Sequence, residues 1–117
     1  MVSRGFRSLT GVVVTTGAVV TEAMFFVQNL ANGPELLIEW LRGIRAEVVN
    51  CFDPERLQSA AYLMARYADA PMDYADATLV ACADELNCGD VLTLDLRGFR
   101  TYRYRKSKRF KLLLQDA

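Results

Sequence analysis

The chain has 117 residues, 52% of them hydrophobic and 24% charged, which is the composition of an ordinary globular domain long enough to bury a core of its own. Histidine is absent, which excludes Ser-His and Cys-His nucleophilic mechanisms and removes the commonest transition-metal ligand. The net charge of zero is a cancellation, because residues 97–111 hold eight Lys or Arg and no acid, whereas residues 1–96 hold six basic and thirteen acidic residues, a balance of −7.

Cys51, Cys82 and Cys88 share no metal-ligand spacing, and their odd number argues against a disulfide framework. No apolar run approaches the roughly 20 residues needed to cross a bilayer, and the first apolar segment is too short for a signal peptide. These features predict a protein of the reducing cytoplasm with no membrane partner. Chemistry in such a chain falls to carboxylates, with a hard, oxygen-loving ion such as Mg²⁺ or Mn²⁺.

In chain order, residues 1–10 are polar and basic without periodicity. The β-branched run GVVVT at 11–15 predicts a buried strand, and Thr16 can cap a helix over about 17–30. The apolar stripe of that helix is Val19, Val20, Ala23, Phe26, Val27 and Leu30, with Glu22 on its shoulder. Asn32-Gly33-Pro34 stops it and starts a second helix over 34–42. A strand follows at 46–51. Asp53-Pro54-Glu55 then opens a helix reaching about 68, by the Asp N-cap and Pro N1 pattern, with Leu57, Ala61, Met64 and Ala65 facing inward.

The stretch 71–95, PMDYADATLVACADELNCGDVLTLD, organises the rest. It predicts a helix over 73–87, a turn, and a buried strand over 91–94 that ends on Asp95. On a helical wheel with Leu79 at zero, Leu79, Val80, Ala83 and Leu86 span an arc from about −20° to +100°. Asp76 falls near +60°, inside that arc, and Asp73 near +120°, at its margin. A carboxylate on a buried face needs a cation or several donors to compensate it. Asp95 sits at the carboxyl end of a strand, where open α/β sheets gather ligands. A local reading stands beside the functional one: Asp73 as N-cap, Asp76 favoured by the helix dipole, and Asp95 capping the following turn.

Beyond Asp95, the basic segment 97–111 reads as a loop interleaved with Phe99, Tyr102, Tyr104 and Phe110, a combination that suits phosphates and exposed bases. A strand over 110–114 closes the chain. The order β-α-α-β-α-α-β-β, without repeats or linkers, predicts one α/β domain over 1–117 with a mainly parallel sheet.

TTGAVVTEAMFF, PMDYADATLVACADEL and VLTLDLRGF, in that order and spacing, resemble the PIN domain family, and within it the VapC-like toxins of bacterial toxin–antitoxin pairs. The resemblance spans about 11–114. It implies a three-layer α/β fold whose clustered acids hold Mg²⁺ or Mn²⁺ and hydrolyse RNA. Glu22, Asp76 and Asp95 take the places of catalytic acids and metal ligands, Asp73 is an auxiliary ligand, and Thr93 supplies the neighbouring hydroxyl that orients the site. RNA would meet Arg97, Arg100, Arg103, Arg105, Lys106, Lys108 and Arg109, and an antitoxin protein would be the partner.

The family's opening strand, which ends in its first catalytic Asp, and the helix after it have no counterpart before Gly11. Because that strand is central in the family's sheet, its loss implies a gap between neighbouring strands. A start further upstream, a sheet closed or completed in a homodimer, and a PIN-like module without activity are all compatible with this. The functions in play are therefore a metal-dependent ribonuclease, a non-catalytic module binding nucleic acid or protein, and a structural domain whose acids are only caps.

Overall fold

In a computed structural model, residues 11–93 and 95–113 are described. The elements are β1 (Val14–Thr16), α1 (Gly17–Val27), α2 (Gly33–Gly43), β2 (Glu47–Val49), α3 (Pro54–Arg66), α4 (Tyr74–Leu86), β3 (Asp90–Val91), α5 (Leu96–Thr101), β4 (Arg103–Tyr104), β5 (Lys108–Arg109) and β6 (Lys111–Leu112). The polar start, Leu94 of the predicted strand 91–94 and Leu114 of the predicted strand 110–114 lie outside the described residues. The result is an α/β arrangement of short strands among helices.

Residue chemistry sets the helix boundaries. Thr16 accepts from the Val19 amide at 3.3 Å and starts α1. Asp53 accepts from the Arg56 amide at 3.3 Å, with Pro54 in the first turn of α3. Gly33 lets α2 turn tightly against α1, because a Cβ there would run into the Val27 carbonyl. Asn87 ends α4 in the left-handed region, at φ 49°.

The strands pair as β1 with β2, parallel, with Val14 opposite Glu47, and as β3 with β6, parallel, with Asp90 opposite Lys111. Among the described residues no ladder joins these two pairs, so the mainly parallel sheet expected from the element order is divided into two short parallel pairs. Two cavities, of about 180 and 120 Å³, lie between the halves, and both are lined by Val14, Leu79 and Val91. The segment expected as a loop instead folds as α5 and the antiparallel hairpin β4–β5, whose turn residues Arg105 and Lys106 have φ of 48° and 69°. Left-handed backbone at two successive turn residues matches the twist of a tight hairpin.

The core gathers on α4. Ala77, Val80 and Ala83 join Ala60 and Leu63 of α3 with Phe99, Tyr102, Phe110 and Leu112, and a smaller cluster unites Ala18, Cys51 and Ala75. Thr16 and Thr78, both buried, tie β1 to α4 through hydroxyls 2.8 Å apart.

Several predicted faces turn out differently. Leu57, Ala61, Met64 and Ala65 are exposed; α3 buries Ala60 and Leu63 instead. The aromatic continuation of that stripe fixes the rotation: the Tyr67 ring packs on Tyr102 at 5.2 Å, and its hydroxyl accepts from the Arg103 amide at 3.0 Å. Leu86, in the last turn of α4, is exposed. Phe26 and Leu30 are also exposed, and α1 ends at Val27. Only Ala18 of α1 is buried, since Cys51 and Ala75 meet just its first turn.

Candidate active site

The acids meet around the N-terminus of α4. Asp73, in extended backbone, accepts from the Asp76 amide at 2.8 Å, and the Asp76 carboxylate accepts from the Asp73 amide at 3.3 Å. This is a reciprocal capping box built from two aspartates. Asp95 caps α5, accepting from the Gly98 amide at 3.1 Å, while its own amide donates to the Thr93 hydroxyl at 3.0 Å. The local roles anticipated for Asp73, Asp76 and Asp95 are therefore present in full.

The capping roles leave electrostatic stress in place. Burial, then repulsion from Asp73, then the more distant Asp95, push the Asp76 carboxyl up to about 6. Glu22 reaches over from α1: burial, then the Asp73 charge and a hydrogen bond to Asp73, raise its carboxyl above the ordinary value. Three elements thus bring Glu22, Asp73, Asp76 and Asp95 toward one place, meeting as a chain of pairs. Among the described residues, no group of three or more acids or cysteines is gathered at metal-holding distances. The donor set still suits Mg²⁺ or Mn²⁺ chemically, being entirely carboxylate oxygen. A cation would also relieve the repulsion that raises Glu22 and Asp76.

Tyr102 is a neighbour of the acids that the sequence reading left among the RNA-facing aromatics. Its ring is fully buried against Phe99 and Tyr67, and its hydroxyl donates to the Pro71 carbonyl at 2.9 Å. Burial, then Asp76, Asp95 and Asp73, hold the phenol far above its ordinary value, so it stays protonated. Gly98 lies between, since a Cβ there would strike both the Asp95 carboxylate and the Tyr102 hydroxyl. The close approach of Gly98 was the one signal in the sequence, three residues past the acid, and it is not specific.

The basic residues gather elsewhere. Arg97 and Arg100 are exposed on α5. Arg103 turns back on α5, its Nη1 donating to the carbonyls of Arg100, Thr101 and Tyr102 at 2.7–2.9 Å. The Arg105 amide donates to the Asp84 carboxylate, its Nε donates to the Asp84 carbonyl at 2.9 Å, and Lys108 donates to Asn87 at 3.0 Å. The hairpin therefore grips the C-terminal end of α4 at Asp84 and Asn87, about 12–21 Å along the helix from Asp76 and Asp73 at 1.5 Å per residue. Lys106 and Arg109 are exposed there. Arg103 and Arg105 spend their donors on backbone and on α4, so they act in folding first.

A cleft of about 630 Å³ opens beside the acids, lined by Glu22 and Asp73 and walled by Phe25, Phe26, Phe52 and Tyr74. Sequence reasoning missed it, because Phe52 comes from the turn after β2 and Phe25 from outside the assigned stripe.

No protein-family model matches the chain, and no curated protein matches it. No helix among the described residues is long and apolar enough to cross a membrane.

Proposed function

We propose that this protein is a Mg²⁺- or Mn²⁺-dependent endoribonuclease of the PIN type, VapC-like, acting in the cytoplasm and held by an antitoxin protein. The observation that carries the reading is the convergence of Glu22, Asp73, Asp76 and Asp95 on the start of α4, with Asp76 raised by burial and then by its acidic neighbours. Asp76 and Asp95 would be the principal ligands, Glu22 would close the site from α1, and Asp73 would orient Asp76 through the capping box. Thr93 holds the Asp95 backbone, and the Gly98 amide holds its carboxylate. Bound there, the ion would supply an activated water and neutralise charge developing on the phosphate. RNA reaching the hairpin would lie along α4, drawn by Lys106 and Arg109.

A second reading is a PIN-like module that binds RNA or protein without cleaving it. The observation favouring it is that Asp73, Asp76 and Asp95 each have a complete capping role, which preserves them without catalysis. RNA cleavage with Mn²⁺ or Mg²⁺, against chelator and Asp76→Asn controls, separates the two. Cleavage lost in both controls supports the nuclease, with a second copy of the chain as one source of a further acid. Absence of cleavage from folded protein over several RNAs selects the binding module.

A further inference from the structure

Cys82 and Cys88 stand at the C-terminal end of α4, away from the acids, and neither capping nor metal binding uses them. Asn87 reverses the chain there: the Cys88 amide donates to the Ala83 carbonyl at 3.2 Å and the Asn87 amide to the Asp84 carbonyl at 3.4 Å. This pair of bonds packs the residue after the left-handed one back onto the residues five and six before it. The residue six before Cys88 is Cys82. Both cysteines line the same cavity of about 120 Å³, whose other walls are mainly apolar. Gly89 pins the chain just beyond, because a Cβ there would strike the Tyr104 ring, so Cys88 stays over the cavity. Burial, then the Glu85 charge, raise the Cys82 thiol above its ordinary value, and Cys88 adds to the shift. Cys88 is exposed and Cys82 partly buried, so an oxidant meets Cys88 first.

We propose that Cys82 and Cys88 form a reversible dithiol–disulfide pair, oxidised by a small-molecule disulfide such as oxidised glutathione. The Cys88 thiolate, its proton released to water, attacks one sulfur of the oxidant and expels the other half as a thiolate. The Cys82 thiolate then attacks the Cys88 sulfur, breaks the mixed disulfide and expels the second half. Two protein thiols are oxidised, one small disulfide is reduced, and the two protons end on the two thiols released. Cys51 stands apart, buried against Ala18 and Ala75, so the odd number of cysteines resolves into one core thiol and one pair. In a reducing compartment such a disulfide is usually transient and serves redox sensing. The ring it closes contains Asp84 and Asn87, which hold the turn of the hairpin, so oxidation acts on the hairpin's seat. None of this depends on ribonuclease activity.

The test equilibrates the full chain with reduced and oxidised glutathione, traps free thiols with a maleimide and reads each cysteine by peptide mass spectrometry. The expected product is a monomer joined through Cys82 and Cys88. At fixed oxidised glutathione, a tenfold rise in the reduced form should lower the ratio of oxidised to reduced protein about 100-fold, because two small thiols leave, against about tenfold for a single adduct. Cys51→Ser should match wild type. Cys82→Ser should stop at an adduct on Cys88 with the tenfold dependence, and Cys88→Ser, at an exposed position, should lose the 100-fold dependence. Thermal melts within a few degrees of wild type show that the variants fold. Wild type that stops at the Cys88 adduct, or that pairs through Cys51 or between two chains, would overturn the proposal.

Discussion

Replacing Asp76 with asparagine separates the charge of that carboxyl from its role as a cap. The asparagine amide oxygen can still accept from the Asp73 amide, now bonded at 3.3 Å, so the capping box survives. Only the charge is lost. The folded-state carboxyl titrates at about 6 against 3.8 for the free group. The folded state therefore binds more protons than the unfolded chain between about pH 4 and 6, and stability falls as pH rises through that window. Taken whole, the shift corresponds to about 3 kcal/mol at pH 7, and because Asp76 is only half-buried, solvent screening reduces this to about 1 kcal/mol. Asp76→Asn should then melt about 4 °C above wild type at pH 7 and equal it below about pH 4. In Mn²⁺ the wild type should gain stability and the variant should not. Thermal melts followed by circular dichroism at both pH values, with and without Mn²⁺, measure all of this. A variant that melts lower than wild type at pH 7 would refute the electrostatic argument, and Mn²⁺ stabilisation persisting in the variant would remove Asp76 from the ion site.

Thr78→Val should destabilise the fold by about 1–3 kcal/mol in urea unfolding, because the buried Thr16 hydroxyl loses its partner at 2.8 Å. Gly98→Ala should cost a similar amount, about 1–3 kcal/mol, as its methyl displaces Asp95 and Tyr102, and metal-dependent cleavage should fall with it. If the exposed tip of the hairpin meets RNA, a Lys106→Ala, Arg109→Ala double variant should lower the slope of log affinity against log salt by about 1.4 for single strands; an unchanged slope removes the hairpin from the interface.

The parts of the fold legible in sequence were those governed by local chemistry. Asp53-Pro54 and Asp73 mark helix starts because a carboxylate accepting from the third amide onward stabilises a helix end wherever it stands. Rotation of α3 was not legible, because Leu57 and Met64 are as apolar as Leu63; the choice was made by Tyr67 meeting Tyr102 and Arg103, far along the chain. The basic segment misled for a related reason. Its charges suggested a solvated loop, whereas Phe99, Tyr102 and Phe110 carry it into the core and Asp84 and Asn87 hold its turn. The wheel position of Asp76 did locate a half-buried carboxylate, since a helix packed along most of its length leaves few positions for a charge to escape. Phe52 escaped notice because a single aromatic in a turn has no period.

Capping and clustering of the acids are one design seen at two scales. Each of Asp73 and Asp95 is fixed by the helix it starts, so its carboxylate position follows from backbone geometry and needs few supporting side chains. Placing both helix starts around Tyr102 and Gly98 then brings the carboxylates together, and burial, followed by the like charges, raises Asp76. Complete capping is therefore compatible with an ion site as well as with a purely structural role, since it supplies the rigidity such a site requires. The two functions part only under perturbation. Loss of a cap lowers stability with or without metal, while loss of a ligand abolishes the stabilisation that metal confers. Asp73 and Asp76 share one capping box yet differ in burial, so Asn at either position, which keeps the cap, shows with and without Mn²⁺ which carboxyl the ion requires, and Ala at either position shows which the helix requires.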